Sequence, residues 1–336
     1  MKKSLIALAA VAASGAAMAQ SSVTLYGVVD TSVAYVKGDK SVSGLLNNGA
    51  ATSRLGFRGV EDLGNGLKAE FVLEGAVSPD NGGSSFDFKR QSTVGLAGEF
   101  GQVRLGRALT ASYNAVSRYD VFGTNGLGST LAWSGAETGY QNRSNNMISY
   151  ISPKFAGFGV GIDYGFGEQK KNKTNRYMGI GATYDNGPLS LGLGYDKQNN
   201  GLGELPNEDL KTWQLGGSYD FAVVKLAAFY KETKYTQIST NGSDKLKTWN
   251  LGVSAPVGAA GVVKASYNNY KLSDSSEKAQ QFSLGYVHSL SKRTALYGTY
   301  SYLKNKNGGT MSLVADAGAT PDDNGKQHGV QIGLRH

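Results

Sequence analysis

Apolar and aromatic residues alternate with small or polar residues along most of this chain, and that period of two limits its fold more than any other feature. Residues 189–196 read LSLGLGYD, with an apolar or aromatic residue at each odd position and a small or polar one at each even position. The same alternation runs through 158–166, 212–221 and 248–254. Successive side chains on a β-strand point to opposite faces, so each stretch predicts a strand with one apolar and one polar face.

Sixteen segments of this kind follow one another, and helical periodicity is absent throughout the sequence. The chain has 47 glycines, and runs of them at alternate positions would weaken any helix. The predicted strands are centred on Val29, Phe57, Phe71, Val94, Val103, Ile148, Ile162, Ile180, Leu193, Leu215, Leu226, Leu251, Tyr267, Leu284, Tyr297 and Ile332.

The connections between these strands alternate between short and long. Seven are tight turns, at 61–66, 98–101, 153–157, 185–188, 220–223, 255–261 and 289–292. Eight are longer polar loops, at about 36–52, 77–86, 108–142, 166–176, 199–210, 236–244, 273–278 and 306–326. Short turns at one end of a sheet and long loops at the other are typical of outer-membrane barrels.

The low apolar content and the number of strands indicate that the apolar faces meet lipid and the polar faces meet water. Apolar residues make up 40 % of the chain, below the roughly 45–50 % of a soluble domain. A secreted soluble β-sandwich is the alternative, but a barrel of sixteen strands is too wide for side chains to fill. We therefore predict an all-β, 16-stranded antiparallel transmembrane β-barrel with short periplasmic turns, long extracellular loops and an aqueous lumen. Aromatic residues near strand ends fit interfacial girdles: Tyr26, Tyr35, Phe155, Phe158, Tyr195, Phe221, Tyr235 and Tyr286.

Residues 1–19 have the features of a secretory signal peptide. Lys2 and Lys3 precede an apolar run at 5–13, and residues 17–19 read AMA, a small-x-small cleavage sequence. The run is too short to span a membrane as a helix. We predict cleavage after Ala19, which leaves 20–336 as the barrel and lowers the formal net charge of +8 by two.

The rarer residue types exclude several kinds of site. The chain has no Cys and three His, so it offers no thiolate ligand, no disulfide and no histidine cluster. The basic residues are scattered rather than clustered, which argues against nucleic-acid binding. No metal, cofactor or catalytic residue is predicted.

Five sequence stretches resemble the Gram-negative general porins. They are 22–30 (SVTLYGVVD), 53–69 (SRLGFRGVEDLGNGLKA), 101–107 (GQVRLGR), 147–150 (MISY) and 290–297 (LSKRTALY). The resemblance covers essentially all of 20–336 and implies trimers of sixteen-stranded barrels, in which the third long loop, here 108–142, folds inward and narrows the channel. Porins of this kind end on an aromatic residue, whereas this sequence ends at His336, so we expect a short native extension.

Alternation also predicts which charged side chains face the lumen. If Leu55 and Phe57 face lipid, Arg54 and Arg58 face inward. The same reasoning assigns Lys68, Glu70, Glu74, Arg104 and Arg143 to the lumen.

Resemblance to the anion-preferring porins implies a constriction formed by Arg54, Arg90 and Arg143, opposed by Glu74. Asp120, on the third loop, is a further acidic candidate. Alternation places Lys89 rather than Arg90 inside, and a β-bulge near 90–92 would reconcile the two, so both residues are retained. Each arginine could instead be a lumen charge in a salt bridge, with no effect on selectivity.

The predicted function is passive diffusion of small hydrophilic solutes through a channel that favours inorganic anions and small organic acids. Fixed arginines in a narrow pore with low-dielectric walls would attract anions at every physiological pH. The expected partners are two further copies of the chain, outer-membrane lipid and lipopolysaccharide. The alternatives are a non-selective or cation-preferring porin, a sugar channel, and an outer-membrane enzyme or adhesin.

Overall fold

A computed structural model describes residues 22–83, 86–134, 138–168, 174–199, 208–237, 242–313 and 324–336. The predicted signal peptide lies outside these residues. The described chain forms a single antiparallel sheet of eighteen strands. None of the helices in these residues has the length and apolar character needed to cross a membrane.

The strands follow one another along the chain with few other elements between them. Their bounds are β1 Ser22–Val28, β2 Asp30–Lys37, β3 Ser41–Asn47, β4 Arg54–Gly64, β5 Leu67–Ala76, β6 Gln91–Gly98, β7 Gly101–Leu109, β8 Arg143–Ile151, β9 Phe158–Gly165, β10 Tyr177–Asn186, β11 Leu189–Gln198, β12 Glu208–Asp220, β13 Lys225–Gln237, β14 Gly242–Val257, β15 Gly261–Leu272, β16 Lys278–Ser289, β17 Ala295–Lys306 and β18 Lys326–Arg335.

The sheet closes on itself. Each strand from β4 to β17 pairs with the next, and β18 pairs with β2 from His328↔Lys37 to Arg335↔Asp30. Val29 and His336 exchange two backbone hydrogen bonds of 2.8 Å at the end of this ladder. The pairing therefore returns to the start of the chain, as a barrel requires.

Eighteen strand segments replace the sixteen expected for two reasons. The first predicted strand is divided at Val29 into β1 and β2, and β3 lies within the predicted long loop at 36–52. β1 and β2 are separated by Val29 alone, and β1 pairs with β4 while β2 pairs with β3. The carboxylate of Asp30 accepts the backbone N–H groups of Gly49, Ala50 and Ala51 at 2.8–3.0 Å. These hydrogen bonds hold the segment between β3 and β4 away from the ladder. Each of the other fifteen predicted centres lies in one of the strands β4–β18.

The apolar side of the strands faces outward. Leu215 on β12 is 50 % exposed and Ile332 on β18 is 65 % exposed, whereas Gln214 and Gln331, which precede them, are almost fully buried. This distribution is the reverse of a soluble protein and matches a wall that meets lipid outside and polar groups inside. Six of the eight expected girdle aromatics are exposed, but Tyr26 is half-buried and Tyr235 is buried, because both lie on the inward side of their strands.

The third long loop packs against the inner wall and contains the helical turns of the described chain. Helix α1 (Ala111–Val116) is followed by two 3₁₀ turns, Ser117–Tyr119 and Leu131–Trp133. A segment of six residues is too short to show helical periodicity, so the sequence did not predict it. The helix lies directly on β10 and β11, where a Cβ at Gly181 would collide with the carbonyl oxygen of Ala111. Glycine on the wall therefore allows the close approach.

Candidate pore constriction

Glu74 on β5 is the centre of a cluster of charged side chains on the inner face of β4–β8. Its Oε1 accepts a hydrogen bond from Arg90 Nε at 2.7 Å, and its Oε2 accepts one from the Tyr26 hydroxyl at 3.0 Å. Arg54 Nε lies 3.6 Å from the same Oε2. Three of the residues expected at the constriction thus lie together, and Tyr26 joins them because it faces inward.

Arg90, not Lys89, makes the contact with Glu74. The Lys89 side chain is 80 % exposed and pairs with Asp87 at 2.6 Å. The expected bulge at 90–92 is wrong, since β5 and β6 pair without a register shift from Lys68↔Ala97 to Glu74↔Gln91. Alternation fails here because β6 begins at Gln91, so Arg90 precedes the strand and is not bound by its pleat.

Arg143 belongs to the same cluster, but not for the reason that alternation gave. Its Nε donates to the backbone oxygen of Arg90 at 2.8 Å, and its Nη1 donates to Asn142 Oδ1 at 3.2 Å. The pairing of β7 with β8 shifts between Gly106↔Met147 and Ala108↔Ser144, which places two residues of β8 opposite one of β7. The alternation count from Ile148 to Arg143 therefore does not hold, because it crosses this bulge.

Arg107, opposite the bulge, is a member of the cluster that the sequence reasoning missed. Its Nε donates to the Lys89 backbone oxygen and its Nη1 to Asn145 Oδ1, both at 2.6 Å. Arg107 has the same parity as Leu105, which alternation assigns to the lipid face. The one sequence feature that pointed to Arg107 is its place at the end of the 101–107 stretch, which resembles the general porins. Among the described residues, Arg54 and Arg90 contact the Glu74 carboxylate. Arg143 lies within electrostatic range of both Glu74 and Arg107, and Arg107 lies within electrostatic range of Asp87.

The other charged residues expected in the lumen lie on the same strands but outside this cluster. Arg58 and Lys68 are exposed, and the Arg58 guanidinium lies 5.8 Å from the ring centre of Tyr26. Glu70 accepts a hydrogen bond from Gln102 Nε2 at 2.6 Å. Arg104 is half-buried, within electrostatic range of Asp163. These groups surround the cluster without contacting Glu74.

Asp120 is buried in the third loop and is 3 % exposed. Its carboxylate accepts the backbone N–H groups of Phe122 at 2.9 Å and Thr130 at 3.0 Å. Burial raises the pKa of this carboxyl above its usual range, and those hydrogen bonds oppose the shift. Its described hydrogen bonds fold the loop and do not reach the arginines.

Residues 127–132 of the loop are held on the wall formed by β13–β18, whereas helix α1 lies on β10 and β11. Lys231 on β13 is buried and donates to the Ala132 backbone oxygen at 2.6 Å. Gln281 on β16 donates to the backbone oxygens of Leu127 and Ser129 at 3.1 and 3.0 Å. The Tyr270 hydroxyl accepts the Leu131 N–H at 2.9 Å. The loop therefore fills one side of the lumen.

A closed antiparallel sheet with an apolar exterior, an inner loop and a charged inner face defines a water-filled β-barrel channel. The sequence profile of the Gram-negative porin family matches residues 5–308, and the chain belongs to that family. It is 48 % identical over 352 aligned positions to outer membrane porin protein 32 of Delftia acidovorans, with 100 % of this chain and 99 % of the relative covered. It is 35 % identical over 397 positions to an outer membrane porin protein of Bordetella pertussis, with both chains fully covered.

A solved structure supports the same assignment. An anion-selective porin from Comamonas acidovorans superposes with a TM-score of 0.88 and 44 % identity, over 94 % of this chain and 99 % of that one. The expected family and the outer-membrane location are confirmed. The chain is an outer-membrane porin, a channel for passive diffusion, and its relatives are channels rather than enzymes.

Proposed function

We propose that this porin conducts small anions in preference to cations, and that Arg54, Arg90, Arg107 and Arg143 form its selectivity filter. The observation that carries the proposal is the imbalance of charge around Glu74. Arg54 and Arg90 share that one carboxylate. In the described chain, the hydrogen bonds of Arg107 and Arg143 go to neutral oxygens of the backbone and of Asn145 and Asn142.

The excess positive charge lies where it acts on a passing solute. Guanidinium groups stay protonated throughout the physiological range, so their field does not depend on pH. A narrow aqueous path between low-dielectric walls strengthens that field. Hydrogen bonds to neutral oxygens fix Arg107 and Arg143 in place and leave donors for an anion. The Asp87 carboxylate lies within electrostatic range of Arg107, but it is paired with Lys89. Inorganic anions and small organic acids are the proposed solutes, and no catalytic step is assigned to the channel.

The reversal potential in planar bilayers under a KCl gradient tests this proposal. The wild type is expected to prefer chloride, and Arg143→Gln to lower that preference by about fivefold at low salt, since a unit charge at about 4 Å in water contributes about 1 kcal/mol. Lys89→Gln is the matched control, because its side chain is exposed and paired with Asp87. Cation preference of the wild type would overturn the proposal.

We further propose that three copies of the chain assemble, as the resemblance to general porins implies. An outer membrane protein with the same fold, OmpT of Vibrio cholerae, has been solved in a trimer form. Analytical ultracentrifugation of the protein in detergent gives the mass directly. A trimer mass is expected, and a monomer under conditions that preserve the barrel would contradict this part of the proposal.

Lipopolysaccharide is the proposed lipid partner, and a row of outward-facing lysines supports it. The lysine belt lies at the long-loop ends of β11–β18, and several of its members stand directly opposite one another across the strands. Its members are Lys197, Lys211, Lys234, Lys245, Lys247, Lys271, Lys278, Lys304, Lys306 and Lys326. Like charges directly opposite on a sheet destabilise it unless anions lie between them.

The belt has few carboxylates of its own. Among the described residues, Glu232 pairs with Lys245 at 3.0 Å and Lys247 at 4.0 Å. On β12 the belt residue Lys211 is followed two positions later by Trp213, on the same outward side. An aromatic residue at the membrane interface with lysines beyond it would place the ammonium groups at the height of lipid phosphates.

A stability measurement with and without lipopolysaccharide tests the belt. Replacing Lys271, Lys278 and Lys306 by Gln removes three directly opposed charges. In detergent alone this variant is expected to be at least as stable as the wild type, and to lose most of the stabilisation that added lipopolysaccharide provides. Gln at Lys225, Lys292 and Arg293, at the other end of the barrel, is the control. Equal stabilisation of the belt variant and the wild type would contradict the assignment.

A further inference from the structure

A cavity of about 370 Å³ lies beside the third loop at the long-loop end of the barrel. The third loop, β14, β15 and the last long loop each contribute to its wall. The apolar part of the lining includes the aromatic and aliphatic side chains of Tyr113, Leu131, Trp133, Tyr270, Met311 and Leu313. The lining surface is about half apolar and half polar, which suits a small solute with one apolar and one polar end.

The aromatic wall of the cavity is rigid. The rings of Tyr113 and Trp133 pack edge to face with their centres 5.3 Å apart. Phe229 packs against Trp133 at 5.5 Å, and the Lys231 ammonium lies 4.4 Å from the Trp133 ring centre. A ring of similar size could pack on these surfaces without rearranging them.

The lining also includes hydrogen-bonding groups. Trp133 has a buried indole N–H for which no acceptor is present in the described chain. Asn142 also lines the cavity, and its Oδ1 accepts from Arg143 Nη1 at 3.2 Å. The cavity therefore adjoins the arginine cluster through Asn142.

The other polar groups of the lining restrict the class of ligand. No Asp or Glu is among the lining residues, so nothing there attracts a cation. The Tyr270 hydroxyl donates to Gln281 at 2.6 Å, and the Tyr113 hydroxyl is hydrogen-bonded to Thr124 at 2.9 Å. Hydroxyls already engaged within the protein are poor partners for a sugar, which needs many hydrogen bonds.

We propose that this cavity binds aromatic monocarboxylates on their way to the arginine cluster. The ring packs against Tyr113, Trp133 and Met311, and the carboxylate points toward Asn142 and Arg143. This inference rests on the proposed anion selectivity and adds a solute class to it. Such a site would concentrate benzoate-like acids at the mouth of the channel.

Single-channel recordings in KCl with added benzoate or acetate test the site. Benzoate is expected to interrupt the chloride current about tenfold more effectively than acetate, because burial of the ring adds hydrophobic binding to the shared carboxylate contact. Cyclohexanecarboxylate separates ring stacking from general apolar burial and is expected to lie between the two. Equal effects of benzoate and acetate would overturn the proposal.

Two variants connect the effect to the cavity. Ser134→Phe, at an exposed lining position, should fill the cavity and abolish the benzoate effect while leaving the chloride reversal potential unchanged. Trp133→Phe keeps the apolar wall and removes the indole N–H, so it should weaken benzoate more than it weakens benzyl alcohol. An unchanged benzoate effect in folded Ser134→Phe would refute the site. The wild-type reversal potential reports separately on anion selectivity, so a failure of one proposal is distinguishable from a failure of the other.

Discussion

Arg90 contacts Glu74 twice, through its side chain and through its backbone. Its Nε donates to Glu74 Oε1 at 2.7 Å, and its backbone N–H donates to the Glu74 carbonyl oxygen at 3.1 Å. The second contact does not depend on either side chain. Arg90 therefore stays on the lumen wall even when the carboxylate is changed, which allows the charge of Glu74 to be tested separately from the position of Arg90.

Glu74→Gln should increase the preference for anions. The substitution removes the carboxylate that Arg54 and Arg90 share and retains an amide oxygen that can accept from Arg90. Loss of one negative charge at about 4 Å corresponds to about 1 kcal/mol in water, or about fivefold in the permeability ratio at low salt. Reversal potentials give this ratio.

Glu70→Gln is the matched control for that measurement. Glu70 lies on the same strand and accepts from Gln102, outside the arginine cluster. Its neutralisation should change selectivity less than Glu74→Gln does. A larger effect at Glu70 would mean that the filter lies elsewhere on the wall.

Asp120→Asn should leave ion selectivity nearly unchanged. The carboxylate is buried in the third loop and accepts backbone N–H groups, so its described contacts hold the loop rather than face the arginines. The amide can keep one of those hydrogen bonds, and a loss of about 1–3 kcal/mol in folding free energy is expected. Reversal potential and thermal unfolding together check this prediction. A change in selectivity with no loss of stability would show that Asp120 acts on the permeating ions and belongs to the constriction.

Alternation predicted the strands well because it is a local property of the chain. It identified the centre of every strand from β4 to β18, and it assigned Arg54 and Glu74 to the same inner face. It failed where the backbone leaves the regular pleat. Asn146 adopts a positive φ of 53° beside the β7–β8 register shift, and no periodic signal marks such a bulge. Arg107 was missed for this reason.

The position of the third loop could not be predicted from local sequence patterns, because its contacts join residues far apart in the chain. Gln281 and Leu127 are 154 residues apart in sequence, and Lys231 and Ala132 are 99 apart. Such contacts depend on closure of the barrel and have no periodicity. Family resemblance supplied what alternation could not, namely the inward loop and the choice of Arg90 over Lys89.

Lys231→Met should loosen the third loop. The ammonium group donates to the Ala132 backbone oxygen and lies 3.5 Å from the ring centre of Tyr140, and methionine keeps the bulk without either interaction. We expect larger current noise and a lower voltage threshold for closure, measured on single channels. Lys234→Met, on the outward side of the same strand, is the control. Identical behaviour of both variants would show that Lys231 does not anchor the loop.

Tyr297→Phe should destabilise the seam of the barrel, where the last strands, β17 and β18, meet β2 near the start of the chain. The Tyr297 hydroxyl donates to Asp30 Oδ1 at 2.5 Å, and Asp30 is fully buried while it also accepts the N–H groups of Gly49, Ala50 and Ala51. Removing one donor from a buried carboxylate costs about 1–3 kcal/mol. The temperature at which the folded barrel loses its compact mobility in detergent gels should fall, whereas Tyr195→Phe, on the exposed outer face, should leave it nearly unchanged. Equal unfolding temperatures for Tyr297→Phe and the wild type would mean that the three backbone donors suffice to hold Asp30, and that the seam does not depend on the tyrosine.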